Sequence, residues 1–217
     1  MFDHNIRNTD FTNTSQVTEY MLPVMESFYT IQGEGYHQGR AAYFVRLGGC
    51  DVGCVWCDVK ESWDATLHPL RSVSQIVEEI QTTAAKLVVI TGGEPMMHDL
   101  TLLTKALRSA GLELNIETSG SHPQSGEWDW ICLSPKKFKA PLKGILLKAN
   151  ELKVIIYNQS DFKWAEEYAA QVHPDCKLYL QPEWSRHGSI VPEIINYVKA
   201  NPRWEISVQI HKYLHVP

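Results

Sequence analysis

From about Leu22 onward, short apolar runs of strand length alternate with stretches whose apolar residues recur every three or four positions. Ala42-Tyr43-Phe44-Val45-Arg46-Leu47 reads as a strand that stops at Gly48-Gly49. Residues 73–83 place Val73, Ile76, Val77 and Ile80 on one helix face. Leu87-Val88-Val89-Ile90 is wholly apolar and closes with Thr91-Gly92-Gly93, as expected of a strand covered on both faces of a parallel sheet. A helix over 100–109, capped by Gly111, precedes a strand over 112–117. Further strands are predicted over 130–133, 152–156, 177–180 and 206–209, with helices over 161–171 and 190–200. Repeated strand–helix units build either a doubly wound sheet or a barrel. Both put their chemistry at the C-terminal ends of the strands, where the polar motifs of this chain fall.

The first twenty residues are polar and without period, and are set apart as an N-terminal extension, leaving residues 21–217 as one catalytic domain. A length of 217 residues suits a single large domain that needs no disulfides. The formal net charge of −5 and the lack of a long Lys/Arg run argue against nucleic acid as a partner. No apolar stretch approaches the ~20 residues of a membrane span, and the polar start does not resemble a secretory signal. The expectation is a cytoplasmic protein whose five cysteines are thiols or metal ligands.

Three of those cysteines form the sharpest signal: Cys50, Cys54 and Cys57, spaced C-x3-C-x2-C directly after a strand. Chance would place three cysteines at these offsets with odds of roughly 0.003. Iron–sulfur clusters ordinarily take four cysteine ligands, so three leave one iron open. A structural zinc site closes with four, and His68 is the candidate for the fourth, without any paired zinc-knuckle spacing beside it. Cys132 and Cys176 lie in strand-like contexts and read as buried thiols.

This spacing, with Trp56 before the last cysteine, resembles the radical SAM superfamily, and Thr91-Gly92-Gly93-Glu94-Pro95 is similar to its GGEP segment. The resemblance implies a partial TIM-like (β/α) barrel, a 4Fe–4S cluster and S-adenosylmethionine. Glycines let backbone approach a ligand, and an acidic or carbonyl group there meets the SAM ammonium.

Further segments narrow the resemblance to the 7-carboxy-7-deazaguanine synthase family: Phe28 to Gly35, Phe44 to Cys50, Ile116 to Gly120, Leu133 to Lys136, Leu180 to Pro182 and Gln209 to Leu214. The resemblance implies ring contraction of 6-carboxy-5,6,7,8-tetrahydropterin with loss of ammonia, in queuosine biosynthesis and tRNA modification. It further implies Mg²⁺, a reductant such as flavodoxin or ferredoxin, and a homodimer. Carried over position by position, Ile31, Gln32, Gly33, Glu34, Arg46, Thr91, His211 and the carboxylate of Pro217 fall on the pterin side. Trp56, Asp58, Gly93, Glu94, Ser134, Pro135, Lys136 and Gln181 fall on the SAM side.

Each position also has a plainer reading. Arg46 is otherwise a surface ion pair, Glu34 a turn residue, Lys136 part of the short basic stretch Lys136-Lys137-x-Lys139, and His211 a structural or exposed histidine. Arg46 interrupts an apolar strand just before the cysteines, which favours a carboxylate-binding role. One departure stands out. Many family members carry Thr or Ser after Cys-Asp, where the hydroxyl helps hold Mg²⁺, whereas this chain has Val59. Valine offers no oxygen to a cation that demands hard oxygen ligands, so no side chain is assigned to Mg²⁺ and Lys60 is the candidate substitute charge. The competing readings are a radical SAM activase acting on a partner protein and a zinc-stabilised binding module.

Overall fold

The computed structural model describes residues 19–217; the extension set apart in the sequence lies outside it except for Glu19 and Tyr20. Among the described residues nine strands form one sheet: β1 (Met21–Ile31), β2 (Ala41–Leu47), β3 (Leu70–Ser72), β4 (Leu87–Gly92), β5 (Glu113–Thr118), β6 (Trp130–Leu133), β7 (Glu151–Ile156), β8 (Lys177–Pro182) and β9 (Trp204–Ile206). The order is β3-β1-β2-β4-β5-β6-β7-β8-β9. From β2 to β9 every pairing is parallel, while β1 is antiparallel to both β2 and β3. Each parallel strand lies beside its successor, so the sheet has no reversal of order, which a doubly wound fold requires. With β3 and β9 left at separate edges, the sheet is an open, partial (β/α) barrel.

The helices are α1 (Val73–Gln81), α2 (Thr101–Ser109), α3 (Lys143–Leu146), α4 (Ser160–Ala169), α5 (His187–Ala200) and α6 (Ile210–Leu214). A capping box starts α1: Ser72 Oγ accepts from Gln75 N at 3.2 Å, and Gln75 Oε1 accepts from Ser72 N at 2.9 Å. The predicted strands and longer helices are present. The last strand is displaced, sharing only Ile206 with its predicted span, and the polar residues beyond it lead into α6. Thus His211 sits in a short helix rather than at a strand end.

Period-two alternation divides each strand between two environments. Val45, Leu47, Val88, Ile90, Leu114, Ile116, Leu152, Val154 and Leu180 join Ile76, Ile80, Leu103, Leu107, Phe162 and Ile194 of the helices in one buried cluster. Each such side chain contributes about 1.5–3 kcal/mol when fully buried. The alternate positions Arg46, Thr91, Glu117, Lys153 and Gln181 line a cavity instead. The helices therefore consume one face of the sheet and leave the other for chemistry.

The β1–β2 connection carries Gln32 and His37 into buried positions. Its Tyr36 ring stacks on Trp130 at the start of β6, with centroids 4.4 Å apart. Glu151, the first residue of β7, accepts from Tyr36 N at 3.2 Å and from Trp130 Nε1 at 2.9 Å. These contacts lie at the N-terminal ends of the parallel strands, so the loop closes the floor of the barrel. Gly35 makes the turn with φ of +63°, and a Cβ there would lie 2.8 Å from Glu151 Cδ. Gly35→Ala is expected to destabilise the fold by about 1–3 kcal/mol, read as a lower urea midpoint at unchanged slope.

Candidate active site

The cysteine loop leaves β2 at Gly48-Gly49 and is fastened by its backbone. Gly49 N donates to Ser62 O at 2.7 Å, Cys50 N to Trp63 O at 3.1 Å, and Cys57 N to Cys54 O at 3.1 Å. Asp51 is held from outside by Lys139 Nζ at 2.7 Å and lies 2.9 Å from His122 Nε2. Cys50, Cys54 and Cys57 are free thiols, and all three line one cavity of ≈ 290 Å³. Burial raises the Cys50 thiol and pushes Cys54 up to about 11. Against that, the Val52 and Gly53 amides point at Cys50, and the Lys136 ammonium stands near Cys54. Amide and cationic groups aimed at sulfur fit a thiolate-bound iron–sulfur cluster. Cys132 and Cys176 are buried away from the cavity. His68 hydrogen-bonds Glu61 O at 2.8 Å and is not a fourth wall of the site.

The second fastening comes from β4. Gly93 N donates to Leu47 O at 3.0 Å and Glu94 N to Gly49 O at 2.8 Å. A Cβ on Gly93 would run into the Gly49 carbonyl and come within 2.7 Å of Cys50 Cβ, so only glycine lets β4 reach the cysteine loop. The Glu94 carboxylate accepts from Met96 N (3.0 Å), Thr118 Oγ1 (2.6 Å), Ser119 N (2.8 Å) and Ser119 Oγ (2.5 Å). An ionised carboxylate has about four lone-pair sites, and protein donors fill them. Of the acidic or carbonyl group that the sequence offers for an ammonium, the structure leaves the carbonyl. Ser134, Lys136 and Gln181 line the same cavity, with Lys136 Nζ 2.5 Å from Ser134 Oγ and 5.6 Å from the Trp56 ring centroid. Burial lowers the Lys136 pKa. Pro135 faces a neighbouring cavity instead.

The other wall is a buried charge network. Lys153 Nζ is hydrogen-bonded to Glu34 and lies 3.4 Å from Glu117 Oε2. Gln32 Nε2 donates to Glu117 Oε1 at 2.9 Å, and Gln209 Nε2 to Glu34 Oε1 at 2.8 Å. Burial works against the Lys153 charge, yet the surrounding carboxylates keep it protonated. Ile31, Gly33, Thr91, His211 and Pro217 line this part of the cavity, and Thr30 Oγ1 donates to a Pro217 oxygen at 3.3 Å. Burial lowers the His211 pKa, so its ring is neutral at pH 7. Arg46 has both of its readings: Nε donates to Glu26 at 2.6 Å, and the side chain lines the cavity. Glu117, Lys153 and Gln209 were not singled out by sequence. A charged residue at an alternate position of an apolar strand is the signal that Lys153 and Glu117 carry.

The surroundings of Val59 do not make a Mg²⁺ site. Val59 lines the cavity without an oxygen, and the neighbouring Asp58 carboxylate is paired with Lys212 Nζ at 3.6 Å. Among the described residues no three His, Cys, Asp or Glu side chains converge on a single-ion position. Lys60, the substitute charge considered from sequence, points over the Trp63 ring at 6.0 Å and does not line the cavity; Lys212 is the cation beside Asp58.

Burial opposes ionisation of Glu34, but the Lys153 ammonium and hydrogen bonds from Lys153 and Gln209 hold its carboxyl at about 2. Its folded pKa is thus depressed. The associated stability is present in full above the unfolded value of about 4.3 and is lost as pH falls through about 2. Urea unfolding of Glu34→Gln is expected to fall less steeply than wild type between about pH 5 and pH 2.5; parallel curves would remove Glu34 from the acid response.

Residues 44–134 match the radical SAM superfamily. A 7-carboxy-7-deazaguanine synthase from Flavobacterium psychrophilum is 57% identical over 91% of this chain and 93% of its own length. One from Synechocystis is 47% identical over 93% and 97% of the two chains. The crystal structure of QueE from Escherichia coli superposes with a TM-score of 0.79 at 33% identity, covering 87% of this chain and 94% of that one. With a cysteine loop, a Gly-Gly-Glu-Pro turn and a buried acid–lysine pocket on one open barrel, and relatives matched end to end, the chain belongs to the 7-carboxy-7-deazaguanine synthase family of radical SAM enzymes.

Proposed function

We propose that the chain converts 6-carboxy-5,6,7,8-tetrahydropterin to 7-carboxy-7-deazaguanine with release of ammonia, using a 4Fe–4S cluster on Cys50, Cys54 and Cys57. The observation that carries this reading is that one small cavity is lined both by the three thiols and by the Glu34–Lys153–Glu117 network. Its ≈ 290 Å³ suits a small molecule rather than a protein segment, which speaks against an activase.

When bound, the cluster and S-adenosylmethionine supply the radical that removes a hydrogen atom from the substrate. The chain's own residues orient and isolate. Arg46 donates from its guanidinium to a carboxylate of the substrate, a task suited to its planar fork. Glu34 and Glu117 accept from ring N–H and amino groups, and Lys153 keeps both ionised. Gln32 and Thr91 add polar contacts, and neutral His211 closes the side that α6 covers. Ser134, Lys136, Gln181 and the backbone around Gly93 serve the SAM side, with Trp56 beside them. Positioning is the main task left to the protein, because cofactor and substrate carry the bond chemistry. No step is assigned to a divalent cation.

Around this core the same reading includes a cytoplasmic location, consistent with no described helix long and apolar enough to cross a membrane. It also includes a catalytic domain over 21–217 with a separate N-terminal extension, a homodimer, a flavodoxin- or ferredoxin-type reductant, and a product destined for tRNA modification.

The test is an anaerobic assay of reconstituted protein with reductant, SAM and the pterin. A product with the mass and ultraviolet spectrum of 7-carboxy-7-deazaguanine is expected; SAM cleavage with the pterin untouched would refute the substrate. Chelation of divalent cations is expected to change turnover by less than about twofold, and Val59→Thr to add Mg²⁺ stimulation. Arg46→Gln is expected to raise KM by about tenfold or more, from the loss of a charge-assisted bidentate contact.

A further inference from the structure

The basic stretch around Lys136 is only partly used by the cavity. Residues 130–150 hold five lysines and no Asp or Glu, in a chain of formal net charge −5. This segment is the crossover from β6 to β7, and it packs against the outside of the cysteine loop. Phe138 meets Trp56 edge-on at 6.3 Å, and Lys139 holds Asp51. Leu142 N donates to Gly120 O at 2.8 Å, two residues from His122, the other partner of Asp51.

Beside this contact lies a second cavity, lined by Val55, Lys137, Phe138, Tyr157 and Trp164 and sharing Trp56 and Ile155 with the main one. Its apolar residues are unusually open to solvent: Val55 is 68% exposed, Phe138 45% and Tyr157 41%. Val55 lies between Cys54 and Cys57 in sequence, so this is solvent's nearest approach to the thiols along the loop. Around the groove stand cations. Lys137 is paired with buried Asp161, Arg186 lies over the Tyr157 ring at 5.4 Å, and Lys143 is exposed at the start of α3.

We propose that this groove docks an acidic, one-electron donor protein carrying a flavin or iron–sulfur centre. The inference rests on the functional reading above, which requires one electron per activation. That electron leaves the donor's centre, which is oxidised by one equivalent, and enters the cluster held by the three cysteines; no group is transferred with it. Charge selects the partner. A second copy seated on this face by two-fold symmetry would bring the same cations against themselves, whereas an acidic surface is attracted and steered. Exposed aromatic and aliphatic side chains then supply the short-range contact.

The experiment follows cluster reduction in the reconstituted holoenzyme by stopped-flow absorbance, using an acidic flavin-bearing donor protein or dithionite. Lys143→Glu with Arg186→Glu is expected to slow donor-driven reduction at low ionic strength by about tenfold or more. Dithionite-driven reduction should stay within about twofold of wild type, since a small ion needs no docking face. The conservative pair Lys143→Arg and Arg186→Lys should keep the wild-type rate, and added salt should slow only the donor-driven reaction. A donor-driven rate equal to wild type in the charge-reversed pair would overturn the docking site. So would an equal loss in Lys177→Glu, a cation at the opposite end of the barrel. A wild-type protein that dithionite fails to reduce would overturn the functional reading itself, and this inference with it.

Discussion

A buried ammonium must be paired, and Lys153 meets that demand by drawing three parts of the chain together. Its partner Glu34 comes from the floor loop between β1 and β2, Glu117 comes from β5, and Lys153 itself from β7. Removing one member of such a set strands charge in a poor dielectric and costs about 3–5 kcal/mol. The network therefore also determines where the floor loop sits. Gln32 is held by Glu117, and Gln209, just ahead of α6, is held by Glu34. Floor, wall and C-terminal segment share one electrostatic solution.

The cysteine side is organised by a different carboxylate with the same logic. Glu94 spends its acceptor capacity on β4's own turn and the end of β5, so its backbone is immobilised where it meets the cysteine loop. Gly93 lets that meeting be close. A cluster loop lacking regular secondary structure has few internal hydrogen bonds, so its geometry comes from neighbours: Ser62, Trp63, Glu94, Lys139 and His122. The strands supply the rigidity that the loop lacks.

Much of this was legible in sequence because it rests on local pattern. Apolar runs of four to six residues gave β4, β6 and β7, and the cysteine spacing marked the loop. The misses have physical causes. β1 carries a register shift between Val24 and Glu26 and a proline near its start, so its alternation is broken. β3, α3 and α6 are three to five residues long, too short to display a period. Lys153 and Glu117 look like ordinary solvent-facing charges until the sheet curves and turns their face inward. Which face that would be depends on strand order, which no local pattern contains. Pro135 shows the converse: a position matched by motif can face the next cavity when the chain turns at that residue.

The cysteine loop ends up as a partition between two environments of opposite character. Toward the barrel, carboxylates outnumber cations around the pterin wall, and the cavity is enclosed by the floor loop and α6. Toward solvent, the same loop presents Val55 flanked by lysines and Arg186. Radical chemistry needs both conditions at once: an electron must enter, and water must stay away from the radical it creates. One eight-residue loop satisfies both only if its sulfurs face inward while its tip stays accessible from outside. In this chain Asp51 is the residue that makes that arrangement firm. It belongs to the loop, yet its partners Lys139 and His122 come from the crossovers after β6 and β5. The basic surface and the thiol geometry are therefore mechanically linked, which explains why a segment so rich in lysine lies beside the cysteines and not elsewhere on an acidic protein.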